Sequence, residues 1–94
     1  MKEIKADKLE IMEQPGQVRL TTSNDYLLSK CQDNNEMFEI DEMIVSGSNK
    51  YIWLKNVIVF WSGKNNGSGS FHLYFNKDNS IIKKNKDELL KEVL

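Results

Sequence analysis

Apolar residues fall at every second position through much of this chain, and turn-forming residues interrupt them at short, regular intervals. Alternation of this kind puts successive side chains on opposite faces of a β-strand. Gln17 to Thr22 sets Val18 and Leu20 against Arg19 and Thr21, and Met37 to Val45 sets Phe38, Ile40 and Ile44 against Glu39, Asp41 and Met43. Glu42 falls among the apolar set of the second series, which an edge position or a bulge accommodates. From Tyr51 to Trp61 both faces are apolar, with Ile52, Leu54, Ile58 and Phe60 on one and Tyr51, Trp53, Val57, Val59 and Trp61 on the other. Such a strand is either central and covered on both sides, or half-covered with an aromatic face left for a partner. Lys55-Asn56 offers a further alternative, a tight turn that splits it in two.

The interruptions carry their own geometry. Gln14-Pro15-Gly16-Gln17 has proline and glycine where a type II turn requires them. Ser23-Asn24-Asp25 and Ser46-Gly47-Ser48-Asn49 are further turns. Ser62 to Ser70 reads as a flexible loop with Asn66-Gly67 at its tip. It leads into Phe71 to Phe75, where Phe71, Leu73 and Phe75 share one side and His72 and Tyr74 the other. Asn76 to Ser80 then turns the chain toward a short strand at Ile81 and Ile82. Two segments stay open between strand and helix: residues 1–13, where a strand around Lys8 to Glu13 is preferred, and residues 23–31, where Tyr26 to Cys31 reads as a further strand and Ser23 could equally cap a short helix over Asp25 to Lys30.

The end of the chain follows a different period. Asn85 can cap a helix with Glu88 three residues on, Asp87 and Glu88 sit in its first turn, and Leu89, Leu90, Val93 and Leu94 form an apolar stripe. A helix this short needs a surface to dock on. Together the elements predict an α+β domain spanning residues 1–94: a mainly antiparallel sheet or half-barrel of about six short strands, with one C-terminal helix docked on it. Six or seven short strands followed by a terminal helix resembles, in element order, the helix-capped half-barrels of pleckstrin-homology-like domains. That resemblance implies a fold and fixes no function.

Composition narrows the chemistry. One cysteine and one histidine among 94 residues exclude an internal disulfide and a paired-thiolate zinc site. The alternating charges of Met1 to Asp7 give no export signal, and the longest apolar run, Val57 to Trp61, is far short of the roughly 20 residues that cross a bilayer. A cytoplasmic protein with no membrane contact is expected. Twelve lysines against the single Arg19, with ten asparagines and eight isoleucines, suggest an AT-rich coding genome such as a low-GC bacterium or its phages. Charge is uneven: residues 1–46 hold five basic and ten acidic groups, and residues 47–94 hold eight and four, a balance of −5 and +4. Such asymmetry can steer a partner or favour head-to-tail self-association, and it also describes two ordinary solvated faces.

Candidate reactive groups have simpler readings. Gly63 to Ser70 lacks the lysine and following helix of a phosphate loop and enters a strand instead. Cys31 and His72 form the one arithmetical nucleophile–base pair, with no local motif around them. Asp33, Glu36, Glu39, Asp41 and Glu42 could gather a cation or imitate a phosphate backbone, but they lack the glycine and spacing of a calcium loop. Glu39 and Asp41, two apart on a strand face, more simply keep one side soluble and block edge pairing. No catalysis, metal or cofactor is therefore expected. The expected function is a small non-enzymatic binding or regulatory protein that docks a partner protein, or a second copy of itself, through Tyr51, Trp53, Trp61, His72 and Tyr74, because Trp and Tyr dominate interface energies. The alternative is a single-stranded nucleic-acid binder that combines these rings with Lys50, Lys55, Lys64 and Lys77. Against both stands the reading of the tryptophans as core and the lysines as solvated surface.

Overall fold

The computed structural model describes residues 1–93, apart from the Asn65 side chain. Seven strands form one mixed sheet: β1 (Lys2–Lys5), β2 (Lys8–Ile11), β3 (Gln17–Thr22), β4 (Met37–Gly47), β5 (Lys50–Asn65), β6 (Ser68–Tyr74) and β7 (Ser80–Lys83). Two helices accompany them, α1 (Asp25–Asp33) between β3 and β4, and α2 (Lys86–Val93) at the end. The strand order is β1-β4-β5-β6-β3-β2, with β7 paired to the first part of β5. The α+β class holds, but the sheet is not purely antiparallel, because β1 runs parallel to β4 from the Lys2–Met43 pair to the Lys5–Ser46 pair.

That parallel strand resolves the open N-terminal segment as two strands of one extended stretch. β1 pairs at one edge of the sheet and β2 at the other, so the short link between them spans the open side of the half-barrel. The Ala6 amide donates to the Ser46 carbonyl and the Asp7 amide to the Thr21 carbonyl, both at 2.8 Å, while the buried Thr22 hydroxyl donates to the Lys5 carbonyl. Each edge is thereby tied to the same stretch of backbone, and the polar groups it buries are satisfied.

The open segment at residues 23–31 resolves as helix α1, so Tyr26 to Cys31 is not a strand. Asn24, rather than the expected Ser23, is the cap; its Oδ1 accepts from the Leu27 amide at 3.1 Å. Leu27, Leu28 and Cys31 share one face and are buried against the concave side of the sheet. Tyr26 adds an edge-to-face contact with Phe38, at 6.3 Å between ring centroids. The described residues thus include two α-helices rather than the one expected, and the first fills the half-barrel from within.

The alternation along the long strands changes phase. Buried positions are Phe38 and Ile40, then Met43 and Val45 on β4, and Ile52 and Leu54, then Val57 and Val59 on β5. Both strands switch at the same level, where Asp41 and Glu42 face Asn56 and Lys55, and the pairing register is unchanged across it. Two consecutive residues on each strand point away from the core there, and Asn56 adopts φ of 54°. Left-handed backbone is tolerated by asparagine far better than by branched residues. Val57 and Val59 therefore face the core with Ile52 and Leu54, and Ile58 and Phe60 face outward with Tyr51 and Trp53. Glu42 needs no edge position, since the phase change turns it away from the core.

The turns follow their residues. Gly16, at φ 80°, sits under the carbonyl of Phe75, which a Cβ would strike. The expected loop at Ser62 to Ser70 is shorter than its composition suggests, for β5 and β6 pair up to Asn65 and Ser68 and leave a two-residue turn, with Asn66 and Gly67 at φ 53° and 82°. A register shift between Trp61 and Gly63 bends this hairpin. At the other end, Asn85 caps α2 as expected, its Oδ1 accepting from the Asp87 amide at 2.8 Å. Leu89 is fully buried, while Leu94, the last member of the expected stripe, lies outside the described residues.

The bend at Asn56, where the inward series of β4 and β5 changes phase, makes a direct prediction. Asn56→Gly should leave stability within a few tenths of a kcal/mol of wild type, whereas Asn56→Val should cost about 1–2 kcal/mol in urea unfolding, the usual penalty for a branched residue in left-handed backbone.

Candidate functional site

The outer face of the sheet divides into a covered end and an open end. Toward the start of β5, α2 packs on β5 and β7. Ile44 points outward there yet is 3% exposed, and Leu89 is 0% exposed; neither belongs to the concave core. Tyr51 and Trp53 lie at this end, both half-buried, with Trp53 paired across to Ile44 and Ile81. The Trp53 indole N–H donates to Glu42 Oε2 at 3.0 Å. A carboxylate brought out by the phase change thus satisfies the one polar atom of the ring.

Past the bend, none of the described residues covers the outward side chains to the same degree. Phe60 is 40% exposed and Met37 46%, and they face one another across β5 and β4. Phe60 meets Tyr74 edge to face, with centroids 5.4 Å apart and planes at 89°; the Tyr74 ring lies near-parallel to His72 at 6.4 Å. Phe60, Ser62, His72 and Tyr74 line a shallow depression of about 440 Å³. Its floor is aromatic and its margins are charged, with Arg19 beside His72 on β3 and Glu39 beside Ile58 on β4.

The five aromatic positions expected to share a surface are therefore distributed over three places. His72 and Tyr74 stand in the open depression, Tyr51 and Trp53 lie toward the covered end, and Trp61 packs against the concave core. The Trp61 amide donates to the Glu36 carbonyl at 2.9 Å, while its buried Nε1 has no partner among the described residues. Phe60, which straight alternation assigns to the face of Ile52 and Leu54, is the principal ring of the depression. The polar pair Lys55-Asn56, in the middle of an apolar run, is the signal that marks the change of face.

Comparison with protein-family models, curated proteins and solved structures finds no match. The site is thus read from its own chemistry. The lysines of the nucleic-acid alternative are spread out: Lys50 begins β5, Lys55 stands at the bend, Lys64 is near the far end of β5, and Lys77 opens a 3-10 turn after β6. Among the described residues, no group of three or more His, Cys, Asp and Glu is arranged to hold a metal ion, and no helix is long and apolar enough to cross a membrane.

Cys31 and His72 are on opposite sides of the sheet, the thiol buried beneath α1 and the imidazole on the outer face. Burial, with the charge of Glu36 adding to it, pushes the thiol from 9.0 up to about 11. The folded protein keeps this proton where the unfolded chain loses it, so the stability linked to the thiol is intact below pH 9 and declines as pH rises toward 11. Native protein should accordingly fail to react with a disulfide reagent at pH 8 and should react fully in urea. Cys31→Ala should flatten part of the loss of stability measured between pH 9 and 11.

Proposed function

We propose that this chain is a non-enzymatic binding protein, acting in the cytoplasm, that docks a partner protein through the open end of its outer sheet face. The single observation that carries this reading is the Phe60–Tyr74 pair, two large rings in an edge-to-face contact at 5.4 Å, with Phe60 40% exposed in a chain that buries its other phenylalanines more completely. A preformed aromatic pair of this kind offers contact area at little cost in side-chain entropy and suits the centre of an interface. Mixed charge at the margins, Arg19 on one side and Glu39 on the other, fits a protein surface better than a phosphate backbone, which would require a continuous basic track.

The test separates binding from folding. Phe60→Ser and Tyr74→Ala should each leave urea stability within about 1 kcal/mol of wild type and abolish capture of a partner from host-cell lysate. Trp61→Ala should instead cost about 3 kcal/mol, as expected for a ring packed on the core. Capture that is unchanged in both of the first two variants would sink the reading, and capture that falls steeply with salt would favour nucleic acid.

A further inference from the structure

We propose that this face also docks a second copy of the chain, face to face about a two-fold axis that runs parallel to β5 and β6. The inference rests on the docking role given above to the Phe60–Tyr74 patch. Four strands cross the open part of the face in the order β4-β5-β6-β3. The two middle strands carry the apolar and aromatic groups Ile58, Phe60, His72 and Tyr74, and the flanking strands carry opposite charges, Glu39 on β4 and Arg19 on β3.

Neither flanking charge is used among the described residues. Glu10, which lies directly across from Arg19 on β2, is held by Lys8 at 3.2 Å. Among the described residues Arg19 and Glu39 make no ion pair. A two-fold axis lying between the two faces, and between β5 and β6, exchanges β3 with β4. It sets Arg19 of each copy against the Glu39 flank of the other. Residues 19 and 39 stand one outward row apart, roughly 7 Å along the strands, a distance the long arginine side chain can bridge. An axis perpendicular to the strands would oppose Arg19 to Arg19 and Glu39 to Glu39, which like charge disfavours. The self-complementary arrangement satisfies both flanks at once and closes, as an isologous contact must.

Size fixes the strength. Four strands about 4.8 Å apart and five residues long give a footprint of roughly 19 by 17 Å. That is well below the ~800 Å² per partner of a standard stable interface, and the outer face of a half-barrel curves away from its mate. The dimer is therefore weak and reversible, with a dissociation constant on the order of 0.1–1 mM.

Sedimentation from about 0.01 to 1 mM tests this, with thermal melts confirming that each variant is folded. Wild type should pass from monomer to dimer over that range. Phe60→Ser should weaken association about thirtyfold or more. Arg19→Glu and Glu39→Arg should each weaken it roughly tenfold, and the double variant Arg19→Glu/Glu39→Arg should return to within about threefold of wild type. A wild-type chain still monomeric at about 1 mM overturns self-docking and leaves the docking face to the lysate test, which reads it independently. Association that survives Phe60→Ser places the contact elsewhere and overturns the proposal. Association lost in Phe60→Ser but not restored by the charge exchange overturns the two-fold arrangement while the face stands.

Discussion

The concerted bend in β4 and β5 governs which side chains this protein buries. At the level of Asp41 and Asn56 both strands turn two successive residues outward, and the inward series resumes one residue out of phase. The pairing register survives, so the cost is local: one asparagine in left-handed backbone and a short interruption of the ladder. In exchange Met43, Val45, Ile52 and Leu54 on one side of the bend and Phe38, Ile40, Val57 and Val59 on the other converge on a single concave core. A straight ribbon of this length could not wrap around α1. Because burying a large apolar side chain contributes about 1.5–3 kcal/mol, reversing the phase of either half would outweigh the cost of the bend.

The rest of the enclosure depends on that curvature. α1 lays Leu27, Leu28 and Cys31 into the hollow. It fits closely because Gly69 of β6 presents no side chain; a Cβ there would come within 2.8 Å of Leu28 and Phe71. The N-terminal stretch then passes from the β4 edge to the β3 edge, which hides both edges behind one piece of backbone and limits the risk of open-edge pairing. A parallel strand beside β4 is a consequence of this path, as a chain entering from the far end and leaving across the gap has no other direction to run.

The same bend creates the division of the outer face. Before it, Ile44, Trp53 and Ile81 lie where α2 can cover them; after it, Ile58, Phe60 and Tyr74 lie beyond the reach of an eight-residue helix. Two ion pairs, Lys86 to Glu3 at 2.7 Å and Lys83 to Glu92 at 3.1 Å, help seat α2, though exposed pairs of this type contribute little. The open aromatic patch is therefore what remains when a short helix caps a long, bent strand.

Local features were legible in the sequence. The Pro15-Gly16 turn, the strand at Gln17 to Thr22, the Asn66-Gly67 reversal and the Asn85 cap each depend on residues within a few positions of one another, and the α+β class follows from their order. Side-chain hydrogen bonds and left-handed φ preferences act at short range, so sequence alone determines them. Other features depended on contacts between distant parts of the chain. Whether residues 23–31 form helix or strand was decided by the hollow that accepts Leu27, Leu28 and Cys31, since tertiary burial overrides weak propensity. The parallel placement of β1 required β4 to be present beside it. The face occupied by Phe60 and Trp61 turned on the bend at Asn56, and a shift of one residue moves every later side chain to the opposite side of a sheet. Sequence supplied the alternation and the aromatic surplus; only the folded barrel, by fixing the phase, decided which rings became core and which were left outside.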